Sequence, residues 1–165
     1  MVTQRSFKVT LLIASSFIVA MMLSILPLPG WALWLRPEWI SLVLIYWMIS
    51  LPQRVSLFAV WLVGLLVDVL YGSTFGEHAL ALTLLCFLVA RMHLQIRVYP
   101  MWQQACGIFI LVGIHQLVII LLHAVLYSSA HLSFYLLPCV TSMLLWPWLF
   151  VVMRNTQRRF GIYQS

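Results

Sequence analysis

Six apolar runs fill almost the whole chain, at 9–26, 37–51, 55–71, 75–90, 105–127 and 134–153. A helix needs roughly 20 residues to cross a hydrocarbon core, with a range of about 17 to 25. Inside lipid every backbone amide must find its partner within the protein, so apolar runs of that length are read as helices. The pattern predicts an all-α, polytopic membrane bundle of six transmembrane helices, forming a single domain over residues 1–165. Composition closes the main alternative: 64% of the 165 residues are hydrophobic and 7% are charged, whereas soluble domains are about a quarter charged. No connection is long enough to hold a catalytic domain outside the membrane.

Local signals set the run boundaries. Arg5 and Lys8 precede the first run, which is longer than a signal-peptide core and ends in Pro27-Leu28-Pro29-Gly30 without a small-x-small pattern. It is read as a retained span. Pro37 suits a first helical turn and Glu38 the positive helix end. The second run closes before Pro52, because the residue ahead of proline avoids helical geometry. Runs two and four are short for spans. Trp31, Trp34 and Trp39 suit an outer headgroup anchor for run two, and local thinning or neighbouring helices absorb the remaining mismatch.

Charge placement tests the count of six. With the N-terminus inside, Arg5, Lys8, Arg54, Arg91, Arg97, Arg154, Arg158 and Arg159 fall on the cytoplasmic side, and Arg36 alone falls outside. Cytoplasmic loops carry such an excess of Lys and Arg. Removing one span would strand the last three arginines on the wrong side. The net charge of +6 is therefore a topology signal and not a nucleic-acid footprint.

Asp68 lies in the third run, roughly 20 Å along a helix begun at Val55. A carboxylate at membrane depth faces protein or water. It is read either as a clamp that bonds neighbouring helices and backbone groups, or as a proton or ligand site. Gly64, Asp68, Gly72 and Gly76 recur every four residues, so they share a face for as long as the helix persists. Small residues at that spacing let a second helix approach closely, within the bundle or from a partner. Gly72 and Gly76 equally suit a turn between spans three and four.

His115 and His123 lie eight apart in the fifth run beside Gln116, and fit either a proton relay or polar contacts between helices. His78, His93 and His131 fall near the interfaces. Pro147, between Trp146 and Trp148, should kink the sixth span or leave one carbonyl free. Arg36, Glu38, Trp39, Tyr46 and Trp47 are candidates for an outer-face groove of the kind a lipid binder would need. The three cysteines, Cys86, Cys106 and Cys139, show no metal-ligand spacing. No P-loop, HExxH, GxSxG or paired-carboxylate arrangement is present, so no catalytic residue, metal site or cofactor is expected.

Certain stretches resemble a known family. Arg36-Pro37-Glu38-Trp39, Leu44-Ile45-Tyr46-Trp47 and Leu51-Pro52-Gln53-Arg54-Val55 resemble the second-span region of rod shape-determining MreD proteins. The Gly64-x3-Asp68-x3-Gly72-x3-Gly76 stretch, Trp102-Gln103-Gln104, Leu145-Trp146-Pro147-Trp148 and Met153-Arg154 match that family in order and spacing. The resemblance implies a non-enzymatic subunit of the bacterial inner membrane, with both termini cytoplasmic. Its implied partners are an MreC-like bitopic protein, an MreB-like actin homologue, a RodA-like glycosyltransferase and a class B penicillin-binding transpeptidase. It also implies a fold similar to the substrate-binding components of energy-coupling-factor transporters. That leaves a small-ligand or lipid-intermediate binder as the alternative function.

Overall fold

In the computed structural model, residues 2–27, 29–30, 35–127 and 137–160 are described, with side chains from Phe7 onward. The first apolar run forms α1, Val2–Ile25. The hydroxyls of Ser15 and Ser16 donate back to the Leu12 and Ile13 carbonyls at 2.9 and 2.7 Å, so neither is left unbonded in an apolar setting.

The second run forms α2, Trp39–Ser50, in which Ile40 through Ile49 are all buried. Its 12 residues span only about 18 Å, and it is apolar around its full circumference. Such a helix belongs in a core, and α2 is the centre of this one. A 3-10 turn at Pro52–Arg54 follows. Ser56 then caps α3, Leu57–Tyr71, its side chain accepting the Ala59 N–H. The remaining helices are α4 (Glu77–Val98), α5 (Met101–Tyr127) and α6 (Leu137–Arg159).

Helix α2 packs on α1, α4 and α6, while α3 lies against α4, and α5 against both α4 and α6. Four segments, Phe7–Ile25, Glu77–Val98, Met101–Leu126 and Leu137–Arg159, are long and apolar enough to cross a membrane; α2 and α3 are shorter. Large apolar side chains such as Phe58, Leu66, Val125 and Leu144 point outward, as they do where lipid and not water is the solvent. The chain is a multi-pass membrane protein.

The observed ends differ from the sequence expectation at several helices; α1, for one, already begins at Val2 rather than 9. Helix α4 continues to Val98, past the expected end at 90, and α5 begins at Met101 rather than 105. Only Tyr99 and Pro100 separate the two helices; Pro100 cannot extend α4 and its carbonyl instead accepts the Gln103 and Gln104 N–H groups. Helix α6 begins at Leu137 and reaches Arg159, past the expected end at 153. Trp31, Trp34, His131 and the 128–136 segment lie outside the described residues. Val9, Arg54, Arg97 and Arg154 line one cavity, so the start of α1, the start of α3, the end of α4 and the late part of α6 share one end of the bundle. Asp68, Glu77 and Glu38 lie towards the other.

Candidate functional site

The joint between α3 and α4 is built around a glycine and a carboxylate one turn apart. A Cβ added to Gly64 would lie 2.3 Å from Ala79 Cα and 2.7 Å from Ala79 N. The two backbones therefore touch where only glycine fits. One turn on, Asp68 is completely buried. Its Oδ1 accepts the Ser73 hydroxyl at 3.0 Å, the His78 N–H at 2.8 Å and shares a 2.9 Å contact with His78 Nδ1. Its Oδ2 accepts the Gly76 N–H at 2.8 Å.

This arrangement follows from the turn. Helix α3 ends at Gly72, in the left-handed region with φ 64°, and Gly76 at φ 105° is the N-cap of α4. A glycine N-cap offers no side chain to the first amides of α4, which would otherwise lack partners. Asp68 reaches across the turn and supplies the missing acceptor, with its charge at the positive end of the helix dipole. The geometry is that of a clamp. Gly64 and Asp68 present their shared face to α4 of the same chain, while Gly72 and Gly76 lie beyond the last turn of α3 and shape the connection.

A second carboxylate stands beside the clamp with its own histidine. Glu77 is buried; its Oε1 accepts the Thr74 hydroxyl, and its Oε2 lies 3.2 Å from His123 Nε2. Asp68 and Glu77 thus do not form a shared acidic pair. Gln116 turns elsewhere, donating to Glu38 Oε1 at 2.7 Å, while the Glu38 N–H donates to Ser142 Oγ at 3.0 Å. His115 is buried with neither ring nitrogen hydrogen-bonded. The fifth-helix histidines therefore end in different surroundings: His123 lies against Glu77 of α4, and His115 is buried without a hydrogen bond. The tilted Tyr71 ring packs on His78 with centroids 5.2 Å apart.

The five residues expected in an outer-face groove do not share one surface. Arg36 donates to the Leu26 carbonyl at 2.7 Å and Glu38 holds Gln116. Tyr46 points toward the opposite end, where its hydroxyl donates to Gln157 Oε1 at 3.0 Å. Trp47 is fully buried, and its indole N–H donates to Ser16 Oγ at 2.8 Å. The cause is the enclosure of α2: a helix covered on every side presents successive residues to different neighbours. What exists instead is a lateral groove of about 290 Å³ between α1 and α6, floored by Trp39, Val43 and Trp47 of α2.

Helix α6 runs without interruption through Pro147. Just before it, the buried Trp146 N–H donates to Gln104 Oε1 at 3.4 Å, and Gln104 Nε2 donates to the Ile96 and Tyr99 carbonyls at 3.0 and 3.1 Å. One glutamine thereby satisfies the exposed carbonyls at the end of α4 and ties them to α6. Among the described residues, no group of three or more His, Cys, Asp or Glu side chains is placed to hold a metal ion.

The comparison with known proteins covers nearly the whole chain. The family model described as rod shape-determining protein MreD matches residues 4–156. The chain belongs to the MreD family. A Rod shape-determining protein MreD from Haemophilus influenzae is 35% identical over 155 residues, covering 92% of this chain and 93% of that one. No solved structure matches significantly, so the expected likeness to energy-coupling-factor components gains no support. Within this MreD-family bundle, the residues that sequence spacing missed are Ser73 and His78 of the clamp, Thr74 and Glu77 beside His123, and Gln157. Offsets of five and ten residues from Asp68 follow no helical period; only the turn brings Ser73 and His78 back to it.

Proposed function

We propose that this chain is a non-enzymatic inner-membrane subunit of the bacterial cell-wall elongation complex, with both termini cytoplasmic. It holds the single span of an MreC-like bitopic protein and through it the MreB-like filament, the RodA-like glycosyltransferase and the class B transpeptidase. Membership of a rod shape-determining family supports the role, and the eight-to-one bias of Lys and Arg supports the orientation. The observation that carries the docking is the groove between α1 and α6. No charged side chain lines it, and its α1 wall runs from Leu12 to Leu23, about three turns of helix.

The wall is low where Ser15, Ser16 and Ala20 stand, and exposed Val19, Trp148 and Val152 form its rim. Small residues on one helix let another approach closely in lipid. An apolar single-pass helix has the length and chemistry to lie there. The clamp at Asp68 and the Gly64 contact then act at a distance, by holding the bundle that presents the groove.

Val19→Trp and Val152→Trp fill the groove from exposed positions and leave the core intact. Each is expected to reduce recovery of the bitopic partner in mild detergent by about tenfold, equivalent to about 1.4 kcal/mol, and to round the cells. Unchanged recovery with both substitutions combined would remove the groove from the proposal. A chain that purifies alone with a tightly held small molecule would favour the ligand-binding alternative.

A further inference from the structure

The lateral groove between α1 and α6 has a basic mouth at one end only. Its α1 wall continues a stripe through Lys8, Leu12, Ser15 and Val19, so Lys8 stands one turn beyond the groove on the same face. Its α6 wall does the same through Val152, Thr156 and Arg159. Lys8 and Arg159 are both exposed. Val9 and Gln157 border one recess, which sets the start of α1 beside the end of α6. The two cations therefore flank the same opening from opposite walls.

The other end of the groove differs in charge. Its floor begins at Trp39, next in sequence to Glu38, the first of the chain's three acidic residues. Between the two ends no charged side chain lines the groove, and from Leu12 to Leu23 it runs about 16 Å. A hydrocarbon core is about 30 Å thick, so the groove has the length of one leaflet's acyl chains. Membrane topology gathers Lys and Arg at this end of the bundle, and a cation suits the negative end of α6. Neither cause selects a face of the helix. Here one cation from each wall lies on the stripe that lines the groove, in line with an apolar track of acyl length.

We propose that an anionic phospholipid of the cytoplasmic leaflet occupies this groove whenever no partner span does. One acyl chain lies along the floor of Trp39, Val43 and Trp47, and the phosphate sits between Lys8 and Arg159. Both side chains pair with phosphate, arginine through a bidentate fork, and basic sites between membrane helices on the cytoplasmic side take anionic headgroups. The lipid is then the resident that the bitopic partner displaces. That displacement rests on the docking reading above; the binding of the lipid does not.

The test uses the full chain in non-ionic detergent and follows quenching of its tryptophan fluorescence by lipids brominated on their acyl chains. Trp39, Trp47 and Trp148 line the groove and report contact. Brominated phosphatidylglycerol is expected to quench at a concentration at least about tenfold lower than brominated phosphatidylcholine, a preference that fades as salt is added. Lys8→Gln combined with Arg159→Gln is expected to remove the preference and leave Tm unchanged; six inner Lys and Arg against one outer still hold the topology. Val19→Phe, which narrows the groove, is expected to weaken quenching by both lipids. Equal quenching by the two lipids, or a tenfold preference that survives in the double variant, would overturn the proposal. Recovery of the bitopic partner tests the docking reading separately. A double variant that loses the lipid preference and still recovers the partner upholds the lipid site. A Val19→Trp chain that recovers the partner in full removes the docking and leaves the quenching result to decide the lipid.

Discussion

Gly64→Val is expected to lower the thermal stability of the purified bundle sharply and to reduce its abundance in the membrane. The added Cβ would meet Ala79 Cα at 2.3 Å and Ala79 N at 2.7 Å, and both atoms are backbone. No rotamer change relieves such a contact, so α3 and α4 must separate. Overpacking of a core costs about 1–3 kcal/mol and occasionally more. Here the cost is larger, because separating the helices also pulls Asp68 from the Gly76 and His78 amides one turn away. Even Gly64→Ala should show most of the effect. Ala79→Gly should not rescue it, since the collision is with the main chain of residue 79. Thermal unfolding in mild detergent measures both. A Gly64→Val chain with unaltered Tm would show that the helices do not touch at this point.

Asp68→Leu removes the acceptor of the Ser73 hydroxyl and of the Gly76 and His78 N–H groups, and the partner of the His78 ring. Each donor left buried and unbonded costs about 1–3 kcal/mol, and breaking a buried charged contact costs about 3–5 kcal/mol in total. The variant is expected to lose rod shape together with bundle stability. Asp68→Asn should be intermediate. Its amide oxygen can keep the Ser73 and His78 bonds made at Oδ1, but its NH₂ would then face the Gly76 N–H. The two readouts separate the readings of this residue. Lost shape with a Tm equal to the parent chain would point to a proton or ligand role, and joint loss supports the clamp.

The membrane class and the six helices are legible in the sequence because apolar runs and arginine placement report directly on the solvent around each segment. Helix ends are less so. The fourth apolar run closes at 90, yet α4 continues to Val98 and takes His93 and Arg97 into one helix of spanning length. The uniformly apolar 37–51 run cannot distinguish lipid from protein as its surroundings. It reads as a short span with a groove on one side, and it is in fact the enclosed centre. That one ambiguity is why Tyr46 and Trp47 were expected on an outer face. The four-residue spacing places Gly64 and Asp68 on one side of α3. It stops carrying information at Tyr71, where the helix ends and Gly72 takes positive φ. His78 is found only by folding the turn, and Gln157 only by knowing that Tyr46 faces the arginine-rich end.

The enclosure of α2 also governs how such a chain is made. During synthesis α2 emerges with only α1 to lie against, and at 12 residues it is too short to sit alone across a bilayer. Its hydroxyl at Tyr46 meets Gln157, and the amide ahead of it at Glu38 meets Ser142. Both partners belong to α6, the last of the six helices in chain order. Helices α1 and α4 cover most of α2, but its side towards α6 is closed only when α6 is made, and a nascent chain stopped before Leu137 leaves that side bare. Quality control that senses unfinished membrane proteins would have its signal in that bare side of α2 until α6 arrives.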